Sequence, residues 1–134
     1  MYLLDTNVLS ELRRSRPHGA VLAWLRTVEE NQISISAMTI FELQVGVERT
    51  RHGNPDKAAE IDAWIGRAIE TFRVIDLDPP ISRIAAKLLH GQSPDLQEDG
   101  FIAATALVHN LTVVTRTVRD FAHFDVPMFD PFKS

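Results

Sequence analysis

Short apolar runs alternate along the chain with longer segments in which apolar residues recur every three or four positions. The runs at residues 2–4, 33–36 and 112–115 have the alternating or β-branched pattern of short buried strands. Two smaller pieces, at residues 74–75 and 126–129, are candidates for further strands. Because helical segments separate these runs, we predict an α/β fold with a parallel sheet.

Apolar spacing predicts helices at residues 6–14, from Pro17 onward, and at residues 39–51, 56–72, 81–89 and about 99–107. Thr6 or Asn7 is the expected N-cap of the first helix. Thr39 and Glu42 have the spacing of a capping box, in which Glu42 folds back on the first amide of its helix. A short turn joins the helices at 39–51 and 56–72, so we expect them to form a hairpin.

Three acidic residues fall where predicted strands end or predicted helices begin, namely Asp5, Glu42 and Asp99. Taken singly, each has a structural explanation, such as the capping box at Glu42 or an N-cap at Asp99. In a parallel sheet, however, the carboxyl ends of the strands share the edge at which α/β proteins bind ligands. Three carboxylates there would raise one another's pKa unless a cation neutralised them. Oxygen ligands without His or Cys favour Mg²⁺ or Mn²⁺, and Asp120 is a further candidate ligand.

The 134 residues favour one domain spanning positions 1–134, and the 45% of apolar and 24% of charged residues are typical of globular proteins. The sequence contains no cysteine, which excludes disulfides and thiolate metal sites. The first residues lack the basic and apolar segments of a signal peptide, and no uncharged apolar stretch approaches the length of a membrane span. We therefore expect a cytoplasmic protein with no membrane partner.

The net charge of −4 does not favour nucleic-acid binding through bulk electrostatics. A polyanion would need a local basic patch or a bound cation. The guanidinium group donates paired hydrogen bonds to phosphate, so arginines near the predicted site are the candidates for such contacts. They are Arg13, Arg14, Arg16, Arg116 and Arg119. The alternative for each is ordinary solvated surface charge.

Four sequence blocks, in order along nearly the whole chain, together resemble the PIN domain. They are residues 4–9 (LDTNVL), residues 39–43 (TIFEL) with Gly46, residues 99–106 (DGFIAATA), and residues 114–116 (VTR) followed by Asp120 and Phe121. More narrowly, the chain resembles VapC-type toxins of the FitB-like and plasmid-stability kind.

This resemblance implies a three-layer α/β/α fold with a central, mainly parallel sheet and a helical hairpin. It implies the toxic component of a type II toxin–antitoxin system, acting as a Mg²⁺- or Mn²⁺-dependent endoribonuclease. The implied partners are the RNA substrate, a cognate VapB-like antitoxin and a second copy of the chain, with operator DNA bound only through the antitoxin. The five arginines named above become candidates for RNA contact.

Carried over by position, the resemblance makes Asp5, Glu42 and Asp99 the catalytic, metal-binding acids. Thr6, Asn7, Thr115 and Thr117 would support them. The family usually has Asp or Asn where this chain has Thr117. Thr117 and the nearby Asp120 therefore remain alternatives for the fourth polar residue of the site.

Two other classes of function compete with the nuclease. A PIN-like interaction module without catalysis would use the acids only as helix caps. A phosphoacceptor domain is disfavoured because Asp5 has no acidic neighbour, Asn7 stands where a second aspartate would be needed, and Arg116 replaces the expected lysine.

Overall fold

A five-stranded parallel sheet forms the centre of the molecule in the computed structural model, which describes residues 1–133. The strands are Tyr2–Leu4 (β1), Ile33–Ser36 (β2), Arg73–Ile75 (β3), Thr112–Val114 (β4) and Met128–Phe129 (β5). Their order is β3-β2-β1-β4-β5, and every neighbouring pair is parallel. The predicted parallel sheet is confirmed, including both of its candidate short strands.

Helices cover both faces of the sheet. They are Thr6–Glu11 (α1), Gly19–Leu25 (α2), Ala37–Gly53 (α3), Pro55–Thr71 (α4), Pro79–Leu89 (α5), Gln97–His109 (α6) and Val118–Phe121 (α7). Side chains from α1 to α4 pack on one face, and side chains from α5, α6 and α7 pack on the other. This is the predicted three-layer α/β/α arrangement, and α3 and α4 pack together as the predicted hairpin.

Alternation along the strands explains why two separate cores form. Leu3 and Val113 face the core beneath α5 and α6, whereas Leu4 and Val114 face the core beneath α1 and α2. All four side chains are fully buried. Adjacent residues of a strand point to opposite faces, so a run of apolar residues fills both layers at once.

The central strand β1 has β2 on one side and β4 on the other. The chain passes from β1 to β2 and β3, and then crosses back to place β4 and β5 on the opposite side. The order of the strands therefore reverses between β1 and β4. In open α/β sheets, the crevice beyond the carboxyl ends of the strands at such a reversal is the usual ligand site.

The bounds of the first two helices differ from the sequence prediction. The N-cap of α1 is Asp5 rather than Thr6 or Asn7, because the Asp5 carboxylate accepts a hydrogen bond from the Thr6 amide at 2.8 Å. The first helix also ends at Glu11, earlier than the predicted residue 14. The second begins at Gly19 with His18 as its cap, two residues after Pro17.

The predicted capping box in α3 is wrong. The helix begins at Ala37, and the Ser36 hydroxyl accepts a hydrogen bond from the Met38 amide at 3.0 Å. Thr39 is therefore already inside the helix, and Glu42 lies in its second turn. Because Ser36 caps the helix, the Glu42 carboxylate is free for another role.

Helices α5 and α6 approach closely at Gly100. A Cβ atom added at Gly100 would lie less than 3.0 Å from the Leu89 side chain, whereas one added at Gly66 in α4 would meet nothing within 4 Å. Glycine at position 100 thus permits the packing that brings the first turn of α6 to the sheet edge.

We expect Gly100→Ala to lower the free energy of unfolding by about 1–3 kcal/mol, because the added methyl group overpacks Leu89. Gly66→Ala is the matched control and should raise stability by about 1 kcal/mol through its helix propensity alone. Urea denaturation of both variants measures the difference. Equal shifts of the two variants would contradict the close approach.

Candidate active site

Asp5 lies at the carboxyl end of the central strand and is only 4% exposed. Its amide donates a hydrogen bond to the Val114 carbonyl at 2.9 Å, which extends the pairing of β1 with β4. One carboxylate oxygen accepts from the Thr6 amide and the other from the Thr115 hydroxyl, each at 2.8 Å. Both oxygens are therefore oriented by neighbouring groups that themselves belong to the sheet edge.

Thr6 connects Asp5 to α3. Its hydroxyl donates a hydrogen bond to a Glu42 carboxylate oxygen at 2.8 Å and lies 3.1 Å from the hydroxyl of Thr39. Thr39 is fully buried one turn before Glu42. These contacts place the Glu42 carboxylate beside the amino end of α1.

Four acids of distant sequence position line one cavity of about 310 Å³, namely Asp5, Glu42, Asp99 and Asp120. Asp99 and Asp120 lie in the first turns of α6 and α7. The structure thus brings the three predicted catalytic acids to one place, together with the additional candidate Asp120. Their roles as ligands and catalytic groups stay a prediction at this point.

Polar residues complete the walls of this cavity, and they are Thr6, Asn7 and Thr117. The Thr115 hydroxyl, which donates to Asp5, accepts a hydrogen bond from the Thr117 amide at 3.0 Å. The Asn7 side-chain oxygen accepts from the Arg116 amide at 3.3 Å. The loop after β4 is therefore held against the start of α1 by the predicted supporting residues.

Burial and mutual repulsion raise the pKa of three of these acids. Burial raises the pKa of Asp5, against the hydrogen bonds from Thr115 and Thr6, which lower it. Burial also raises the pKa of Glu42, again opposed by Thr6. Burial, followed by the charges of Asp5 and Asp120, raises the pKa of Asp99 to about 7. Within residues 1–133, no Lys, Arg or His lines this cavity, so no basic side chain there offsets the repulsion among the acids.

The donor set of the cavity fits a hard, hydrated cation. Within residues 1–133, no three His, Cys, Asp or Glu side chains are placed closely enough to hold an ion directly. The oxygens present are those of carboxylates and hydroxyls, which suit Mg²⁺ or Mn²⁺. Mg²⁺ usually keeps several of its waters and takes only one or two carboxylates. In that mode, one or two of these carboxylates would hold the ion directly and the others would reach it through its waters.

The predicted phosphate-contacting arginines separate into two groups. Arg116 and Arg119 line a cavity of about 450 Å³ that shares Thr117 and Asp120 with the acidic one. Arg116 also stacks on the Phe132 ring, with its Cζ atom 4.0 Å from the ring centroid. This group borders the acids directly.

Arg13 and Arg14 instead line a different cavity, between the end of α1 and helix α4. Arg16 follows Arg14 by two residues and is exposed. The structure therefore does not bring these three to the acidic residues. Lys57 and Arg67 of α4 join Arg13 and Arg14 there, and neither is among the arginines predicted from the sequence. With Glu60 and Trp64 they recur every three or four residues on one face of α4, which was the available signal.

A family model described as PIN domain matches residues 2–126. The chain belongs to the PIN-domain family. This PIN domain is 36% identical to the protein named toxin FitB of Neisseria gonorrhoeae, with 98% of this chain and 99% of the relative covered. It is 32% identical to VapC ribonuclease Y4jK of Sinorhizobium fredii, with 99% of both chains covered.

Solved structures have the same fold as this PIN domain. FitAB bound to the IR36 DNA fragment matches with a TM-score of 0.85 and 34% identity, over 100% of this chain and 97% of the other. A toxin–antitoxin complex from Klebsiella pneumoniae matches with a TM-score of 0.74 and 26% identity, over 100% of both chains. VapC ribonucleases with PIN domains generally depend on a divalent metal. No helix within residues 1–133 has the length and apolar character needed to span a membrane.

Asp99→Asn should change the pH dependence of stability in the absence of metal. The pKa of Asp99 is raised from 3.8 to about 7, so the folded state binds its proton more tightly than the unfolded state. The free energy of unfolding of the PIN domain should therefore fall as pH rises from about 4 to about 7. Asparagine cannot ionise, so the variant should lose that part of the slope and be more stable than wild type at pH 8.

Thermal unfolding in a chelator across this pH range measures the effect. Asp95→Asn is the control, because Asp95 is exposed just before α6 and the substitution removes the same charge. Parallel curves for wild type and Asp99→Asn would contradict the raised pKa.

Thr115→Val should destabilise the PIN domain by about 2–4 kcal/mol, because it removes one of the two hydrogen bonds to the buried Asp5 carboxylate and the acceptor of the Thr117 amide. Thr115→Ser keeps the hydroxyl and should cost about 1 kcal/mol for the lost methyl group. Urea titration compares the two midpoints. If both variants lose equal stability, packing rather than the hydroxyl holds this edge together.

Proposed function

We propose that this PIN domain is the toxin of a type II toxin–antitoxin system and acts as a divalent-metal-dependent endoribonuclease. The observation that carries the proposal is the convergence of Asp5, Glu42, Asp99 and Asp120 on one cavity whose lining, within residues 1–133, includes no Lys, Arg or His. The relatives named toxin FitB and VapC ribonuclease Y4jK support it over nearly the full length.

Asp5, Glu42 and Asp99 are the proposed metal-binding and catalytic acids, and Mg²⁺ or Mn²⁺ is the proposed ion. When bound, the ion supplies Lewis-acid polarisation of the phosphodiester and a water of lowered pKa. The Asp5 carboxylate is held in place by Thr6 and Thr115, and the Glu42 carboxylate is held by Thr6. Two of the acids are thus oriented before any ligand arrives, which lowers the reorganisation needed for binding.

Asp99 has a different role in this arrangement. Its pKa of about 7 means that a large fraction of this carboxyl group is protonated near neutral pH in the absence of a cation. Binding of a cation favours the ionised form, so metal affinity should increase with pH across this range. Thr117 and Asp120 are the alternatives for the fourth polar position, and both line the cavity.

We propose a cognate VapB-like antitoxin and a second copy of the chain as protein partners in the cytoplasm. Operator DNA would be bound only through the antitoxin. Phe41 on α3 and Ile69 on α4 are 59% and 43% exposed and offer apolar surface to a partner. The similarity to the Klebsiella pneumoniae toxin–antitoxin complex and to FitAB on DNA also supports these partners.

Asp5→Asn and Asp99→Asn should each reduce metal-dependent RNA cleavage at least about 100-fold, because each removes a proposed ligand or orienting charge. Glu42→Gln should also reduce it. The measurement is cleavage of total RNA by purified protein with Mg²⁺ or Mn²⁺, combined with calorimetric titration of the ion.

Asp95→Asn is the matched control and should cleave as wild type does. Full activity of the Asp5 or Asp99 variants would show that the site is wrongly assigned. Absence of both ion binding and cleavage in the wild type would favour the alternative, a PIN-like interaction module whose acids have no catalytic role.

A further inference from the structure

A basic cavity lies at the opposite end of α1 from the acids. It has a volume of about 480 Å³ and is formed by Arg13, Arg14 and Ser15 on one side and Lys57, Glu60, Trp64 and Arg67 on the other. The α4 residues recur at intervals of three or four positions, so they share one face of that helix. Four cations and a single carboxylate thus converge in a protein of net charge −4.

Two of these cations have no acidic partner in the described part of the chain. Lys57 pairs with Glu60 at 3.6 Å, and Arg14 pairs with Glu11 at 3.4 Å. Within residues 1–133, Arg13 and Arg67 make no ion pair with a carboxylate. Both side chains are exposed, so the cavity has uncompensated positive charge that an anion can reach.

Glu11 anchors the loop that carries Arg13 and Arg14. Glu11 is 5% exposed, and its carboxylate accepts a hydrogen bond from the His18 amide at 2.9 Å in addition to its contact with Arg14. Trp64 is half-buried and packs against both the core beneath α1 and α2 and the apolar cluster between α3 and α4. The loop after α1 and helix α4 therefore hold the four cations around the Trp64 side chain.

We propose that this cavity is a second RNA-binding subsite, which holds the phosphate backbone of the substrate away from the cleavage site. The proposal rests on the ribonuclease function proposed above. Guanidinium groups suit phosphate through their paired donors, and an aromatic side chain beside them is typical of sites for single-stranded nucleic acid.

The position of the cavity favours a polynucleotide over a small anion. Helix α1 spans six residues, which corresponds to about 9 Å, and Arg13 follows its last residue by two positions. A strand of RNA that reaches the acids can therefore extend along α1 into the basic cavity. An acidic protein segment is the other chemistry that four cations could attract, and the experiment below separates the two.

The test is binding of a fluorescent single-stranded oligouridylate of about 12 nucleotides, measured by anisotropy in a chelator so that no cleavage occurs. Arg13→Gln combined with Arg67→Gln should remove two phosphate contacts. The slope of log affinity against log salt is negative and should become less steep by about 1.4, and affinity at about 0.1 M salt should fall roughly 20-fold.

The matched control is Arg83→Gln combined with Lys87→Gln. Both residues are exposed on α5, on the other face of the sheet, and their removal changes the net charge by the same amount. The control should keep the wild-type slope and affinity. Equal losses in the two double variants would show a general charge effect and overturn the subsite.

Unchanged binding by Arg13→Gln/Arg67→Gln would also overturn it, as would a wild-type protein that does not bind the oligonucleotide. Poly-glutamate is tested in parallel, and its selective loss with RNA binding unaffected would assign the cavity to an acidic protein segment. The ribonuclease function is judged separately by cleavage in the acid variants. A failed subsite with intact metal-dependent cleavage is thus distinguishable from failure of the function itself.

Discussion

The burial of one carboxylate at the end of the central strand constrains much of this structure. Asp5 is nearly inaccessible to water, so its two oxygens must be satisfied by the protein. The amide of Thr6 and the hydroxyl of Thr115 do this, and they belong to α1 and to the segment after β4. The same contacts that satisfy a buried charge therefore join α1 to the segment after β4 beside the acidic cavity.

The acidic cavity is built at a cost to stability. Burial and like charge raise the pKa values of Asp5, Glu42 and Asp99, so the folded protein would be more stable if these groups were neutral. The threonine hydroxyls offset part of this cost at Asp5 and Glu42 only. Under the proposed function, the charge that is left uncompensated would attract the metal ion, which is a common compromise between stability and function.

Segregation of charge reconciles an acidic protein with a polyanionic substrate. The acids gather at the carboxyl edge of the sheet, Arg116 and Arg119 border them, and further cations lie at the other end of α1. Local potential, rather than net charge, determines where a phosphate backbone can approach. Under the proposed function, one strand of RNA would contact positive surface on either side of the negatively charged site.

The sequence by itself determined the strands, the parallel sheet and the set of acids, because apolar periodicity and the order of elements depend on local chemistry and on simple rules of connection. It did not determine which acid performs which local task. Asp5 caps α1 and Ser36 caps α3, which left Glu42 to bond with Thr6 rather than with its own helix. Only the tertiary structure decided the raised pKa of Asp99 and the meeting of Arg13 with Arg67, because both depend on residues far apart in the chain being brought within reach of each other.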